Sequence, residues 1–297
     1  IQMAAGVYDV SGVEVDRHLT LSGEEATNTI LQAAASAEVA ADRLLSILGG
    51  VSAVVQRVTL QHGHAADGVP GVDGENGGAM VNAGWLHVAD CIIQSNRAGR
   101  GGDQPDPEGS GGMGGAGGAI YNQYASQLVI ERSVLRFNQA GAGGSNEVNV
   151  GEGGSGGALA SSGLLSLDQV EFDANQAGAS PGGTGGKGGA FYISGGPAVV
   201  TRCSLVANRA GEGTEPGQGG GLFNEADLEV ENTTFYANEA PGEGGALFNQ
   251  GNLGLRYSTV VSNASGSDAG GLWNDAGQTL AISHSMLAGN VAAGTGP

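Results

Sequence analysis

Lysine occurs once in this chain of 297 residues, at Lys187, and cysteine twice, at Cys91 and Cys203. A single lysine leaves little material for lysine-based chemistry. Two cysteines make no disulfide framework and fit no metal-ligand spacing. Cationic side chains are scarce throughout: 11 Lys+Arg stand against 30 Asp+Glu, a formal charge of −19. A surface this acidic repels phosphate backbones and anionic lipid, so neither nucleic acid nor a membrane surface is an expected partner. No apolar run reaches the roughly 18 residues of a membrane-spanning helix, and insertion by this chain is not expected. No charged-then-apolar leader opens it either, so a mature or excised soluble piece is expected.

Glycine is abundant, with 58 residues. The strict three-residue period of collagen is absent along the chain. A hydrophobic content of 40% is enough to build a core.

The sequence repeats. Asn96, Asn138, Asn175, Asn208, Asn238, Asn263 and Asn290 each follow an apolar residue by three positions. Five residues before each stands a compact side chain: Cys91, Ser133, Val170, Cys203, Thr233, Ser258 or Ser285. Eight and ten before lie apolar pairs such as Leu86/Val88 and Leu128/Ile130, and a partial copy runs from Ala53 to Gly63. A second motif, Gly-Gly-Ala or a variant, precedes an apolar pair at positions such as Gly118-Ala119 and Gly245-Ala246. Each unit therefore holds short alternating runs separated by Gly/Asn turns, with no helical spacing. One such run cannot bury its own apolar face, whereas units stacked about 4.8 Å apart can.

The fold class expected is all-β: a single-domain right-handed parallel β-helix over residues 1–297, of about nine coils with three short strands each. Residues 1–50 are read as irregular N-terminal coils, 51–290 as regular repeats and 291–297 as a tail. Cys91 and Cys203 then share one inward column three coils apart, too far for a disulfide. The seven asparagines form a structural ladder inside one turn, where asparagine tolerates left-handed backbone.

The Gly-Gly-Ala motif followed by Phe-x-x-Asn, at Phe172–Asn175 and Phe235–Asn238, resembles the polymorphic outer-membrane-protein repeat. It is also similar to bacterial surface proteins with pectate-lyase-like right-handed β-helices. The resemblance covers roughly residues 77–290 and implies a right-handed turn, secretion to the cell surface and, often, adhesion.

Insertions of 22 (97–118), 19 (139–157), 14 (176–189), 12 (209–220), 7 (239–245) and 7 (264–270) residues follow the ladder asparagines, and the preceding gap, 64–78, is 15. All leave from one turn, so they emerge on one side of the rod as a glycine-rich flap. Packed in extended, glycine-to-glycine fashion or left mobile, such loops on a rigid scaffold are where binding is expected. The candidate binding residues are Asp103, Asp106, Glu108, Glu147 and Glu152. Asp103, Asp106 and Glu108 are also a weak Ca²⁺ candidate, but no EF-hand pattern or Ca²⁺ nonapeptide repeat is present and solvated charge is preferred. No cofactor is expected.

On the outer strand faces Glu131 falls beside Asp168, with Asp173 further along, and carboxylates about 5 Å apart suit a glycosidase. An ordinary cross-strand ion-pair ladder is preferred there. The resulting expectation is a non-enzymatic extracellular scaffold or adhesin-like module, secreted, at the cell surface or in the periplasm. It would bind a protein or glycan. The alternatives are a polysaccharide lyase or glycoside hydrolase using Glu131, Asp168 and Asp173, and a structural subunit docked on partner subunits of an extracytoplasmic assembly.

Overall fold

A computed structural model describes residues 1–294. The chain is a right-handed parallel β-helix built from three long sheets. The first sheet has nine strands, from Leu19–Ser22 to Leu280–Ser283; the second has ten, from Gly6–Asp9 to Met286–Ala288; the third has nine, from Val13–Val15 to Leu272–Asn274. Residues 1–50 enter all three sheets in the same register as the later repeats.

Alternation explains the strands. In the first sheet Leu86, Leu128, Leu165, Ala198, Leu228 and Leu253 stack as Cα partners, as do Val88, Ile130, Leu167, Val200, Val230 and Leu255. The second sheet contributes Leu60, Ile93, Leu135, Phe172, Leu205, Phe235 and Val260, and the third Met80, Ile120, Leu159, Phe191, Leu222 and Leu247. These columns meet at the axis and exclude water. Phe172 and Phe191 touch there with ring centroids 5.1 Å apart.

Two corners of each coil turn through single residues of positive φ. At the first these are Arg57, Asp90, Arg132, Gln169, Arg202, Asn232, Tyr257 and His284. Each is followed by the compact column, in which Cys91 N–H donates to Ser133 Oγ at 3.0 Å and Thr233 N–H to Ser258 Oγ at 3.2 Å. Cys91 and Cys203 lie in this column, buried and unbridged. Burial pushes both thiols up to about 12.

At the second corner the asparagine ladder is continuous. Six side-chain amide bonds of 2.9–3.0 Å link Asn96, Asn138, Asn175, Asn208, Asn238, Asn263 and Asn290. Each Oδ1 also accepts the backbone N–H of the preceding ladder residue, as at Asn138 N–H to Asn175 Oδ1, 3.0 Å. The expected use of asparagine for left-handed backbone is corrected here. Positive φ belongs to the residue before it, at Ser95, Phe137, Ala174, Ala207, Ala237, Ser262 and Gly289. The asparagines are selected for their amides.

Candidate functional site

The insertions form a second ordered body on the rod. Each runs out as one extended arm, turns, and returns as another, and the bonding repeats every three residues. Along the outgoing arms Ala98 N–H donates to Gln139 O (3.0 Å) and Gly101 N–H to Ala142 O (2.9 Å), each in the next loop. The return arms pair likewise, with Gly114 N–H to Glu152 O and Gly117 N–H to Ser155 O at 2.8 and 2.9 Å. Two layers result.

A third set of amides ties the layers together. Gly115 donates to Gly99 O, Gly141 to Gly115, Gly154 to Gly141, Gly178 to Gly154, Gly186 to Gly178 and Gly211 to Gly186, all at 2.8 Å. A parallel zigzag joins Gly112 to Gly102 and Gly144 to Gly112 further out. The period of three is that of an extended polyproline-II-like strand, which has no internal hydrogen bonds and must find partners outside itself. Only glycine fits the interior, because a Cβ built on Gly99, Gly115, Gly141, Gly154 or Gly178 would overlap a carbonyl oxygen of the neighbouring arm in its own layer, that of Ala66, Glu75, Gly99, Gly115 or Gly141 respectively. The third residue of each triplet points away from the sandwich, so Arg97, Arg100 and Asp103 mark one outgoing arm and Glu152, Ser155 a return arm.

The three longest loops end together in one tip, made of residues 67–73, 103–110 and 145–150. Ser145 donates from its N–H and its hydroxyl to Asp103 Oδ1, both at 2.7 Å. These bonds, with Arg100 beside it, hold the Asp103 carboxyl below the usual carboxylate range. Asn146 Nδ2 reaches Gln104 O and Asp106 O at 2.9 and 2.8 Å. Asp106, Glu108 and Glu147 stand exposed on that tip.

Glu152 does not belong there. It faces outward from the return layer, lining a cleft of about 480 Å³ with Lys187, Glu215, Gln218 and Glu243. Among the described residues no three His, Cys, Asp or Glu side chains converge as cation ligands, so Asp103, Asp106 and Glu108 form no metal cage.

Beneath that cleft lies a feature absent from the reading of the sequence. Tyr192, Phe223, Phe248 and Trp273 occupy one outward column of the third sheet, with successive centroids 5.8, 4.8 and 6.3 Å apart. Lys187 Nζ lies 4.5 Å above the Phe223 ring and 3.7 Å from Glu225 Oε1. Phe223 is thereby fully buried although it points away from the axis. The signal was present in the sequence as an aromatic at one offset after the Gly-Gly in five repeats, Tyr121, Tyr192, Phe223, Phe248 and Trp273, with Val81 and Ala160 at that place in the other two.

The carboxylate patch is partly assembled. Glu131 and Asp168 are Cα partners on adjacent strands of the first sheet, whereas Asp173 lies on the second sheet, next to Arg136. Arg202 grips Asp168 through two bonds of 2.9 and 2.5 Å and thereby holds its carboxyl below the usual range. Arg132 binds Asp90 at 2.8 and 3.1 Å and Glu131 at 2.9 Å. A glycosidase acid needs a carboxyl kept protonated, and Asp168 is pushed the other way. His87 Nε2, buried without a hydrogen-bond partner, lies 3.6 Å from Glu131 Oε2.

No family model, curated protein or solved structure matches the chain. The likeness to polymorphic outer-membrane-protein repeats rests on the short motifs alone.

Proposed function

We propose that the chain is a non-enzymatic binding module of the cell exterior, a rigid rod that holds the glycine flap outward and engages a protein or glycan with it. One observation carries this reading: the flap is fixed amide by amide in two layers. Its tip is therefore preorganised, and little ordering entropy opposes binding. Long loops displayed on a stiff scaffold are where recognition concentrates. The polysaccharide-cleaving alternative has less behind it, since Asp168 and Glu131 are each engaged by an arginine.

The test shortens the tip. Residues 67–73, 103–110 and 145–150 are replaced by minimal turns, and binding to arrays of extracellular proteins and glycans is compared with that of the intact chain. Loss of binding at an unchanged melting temperature is expected. Retained binding overturns the proposal.

A further inference from the structure

We infer that the tip of the flap is the docking surface for a basic protein segment that interleaves lysine or arginine with apolar side chains. The inference rests on the binding-module reading and specifies its partner. The tip segments read Asp67-Gly-Val-Pro-Gly-Val-Asp73, Asp103-Gln-Pro-Asp-Pro-Glu-Gly-Ser110 and Ser145-Asn-Glu-Val-Asn-Val150. They hold six carboxylates and no lysine or arginine. Asp67 pairs with His64 and Asp103 with Arg100. Asp106, Glu108 and Glu147 have no cationic partner among the described residues.

Large apolar side chains are exposed on and beside the same tip. Val69 is 66% exposed, Val72 51%, Met113 49% and Val148 70%. A solvated loop gains nothing from such residues, and their grouping beside uncompensated acids is what an interface with an apolar centre and charged rim requires. The segments are contiguous. Gly102 N–H donates to Val72 O at 2.9 Å, and Asn146 spans to Gln104 and Asp106. Pro70, Pro105 and Pro107 stiffen the turns, which keeps the valines presented. The partner's charge follows from the acids, and its apolar content from the valines and Met113. A neutral glycan fits poorly, because no Phe, Tyr or Trp in these segments offers a ring for a sugar to stack on.

The full chain is assayed with a short synthetic peptide interleaving lysine with leucine, and with oligolysine of equal charge as the control. Two surface variants accompany it, Asp106→Asn/Glu108→Gln/Glu147→Gln and Val69→Ser/Val148→Ser, each checked for an unchanged melting temperature. The mixed peptide is expected to bind more tightly than oligolysine. The charge variant should weaken it about tenfold and flatten its salt dependence, and the valine variant should weaken it several-fold at every salt concentration. Equal binding of oligolysine, or indifference to either variant, overturns the inference in favour of general acidity. If the shortened tip abolishes array binding while both surface variants retain it, the module reading stands and the basic-partner inference falls.

Discussion

Asn175 donates its side-chain amide to Asn208 Oδ1 at 2.9 Å, across 33 residues of chain. Its second amide hydrogen goes to Leu135 O at 2.8 Å, and its Oδ1 receives both the N–H and the Nδ2 of Asn138 at 3.0 Å. No polar atom of that side chain is spare, and all of them are out of water. Asn175→Ala orphans the donors of Asn138 and the Leu135 carbonyl together. At about 1–3 kcal/mol for each buried group left unmade, the loss should total about 3–5 kcal/mol. Asn290→Ala, at the last rung, should cost about 1 kcal/mol. Urea midpoints of the two variants check the difference.

Gly141 and Gly178 carry the interlayer bonds, and a Cβ at either site would collide with the carbonyl oxygen of Gly99 or Gly141 in the neighbouring arm, itself the acceptor of an interlayer bond. Gly141→Ala should destabilise by about 2–4 kcal/mol through overpacking and a lost amide bond. Ala142→Ser, one residue on and facing outward, should change stability by less than about 0.5 kcal/mol. Hydrogen exchange at the amides of Gly115, Gly141 and Gly154 should accelerate in the first variant alone.

The two thiols set an alkaline limit. Folded Cys91 and Cys203 stay protonated up to about 12, whereas unfolded thiols ionise near ~8.5. Between those values the unfolded state binds fewer protons, so stability falls as pH rises, by about 1.4 kcal/mol per thiol per pH unit. Below that window the thiols contribute no pH dependence. Denaturation at several pH values between about 8.5 and 10, below the range where the half-buried Tyr192 adds a slope of the same sign, should show the slope halved in Cys203→Ala. A thiol reagent should label neither cysteine in the folded protein.

The Asp168–Arg202 pair lies on the surface, with the arginine more than half exposed. Arg202→Ala should therefore cost less than about 1 kcal/mol, measured by thermal unfolding. A larger loss would mark the patch as a structural requirement of the first sheet.

Much of the rod was legible in the sequence because the physics that builds it is local and repeated. Leu128/Ile130, Cys91 and Asn96 hold the same offsets in successive coils, and stacking turns each offset into a column. The patch around Glu131 was legible only in part. Glu131 and Asp168 share a strand position, but Gln169, with φ of 55°, turns the chain onto the second sheet before Asp173. The left-handed residues escaped notice because Phe137, Arg132 and Tyr257 give no compositional hint of that conformation. Extended, glycine-to-glycine packing of the flap was one of two expectations, but its two layers and triplet period escaped because the defining side chain is a hydrogen atom, invisible to hydropathy. Its signal was the local triplet: Met113-Gly-Gly-Ala116-Gly-Gly, Glu152-Gly-Gly-Ser155-Gly-Gly and Thr184-Gly-Gly-Lys187-Gly-Gly.

Those triplets give the flap something like a reading frame. Lengthening an arm by three residues moves its tip outward and leaves every side chain on its own face. Adding one or two rotates a bulky residue into the space between the layers, where no atom beyond hydrogen fits. The 22- and 19-residue loops differ by one such step. The 14- and 12-residue loops instead differ by two residues, taken up at the turn by the register shift between Ser180 and Thr184 while the arms stay aligned. Descendants of this chain are thus free to vary their reach in quanta of one triplet while the rod beneath stays as it is.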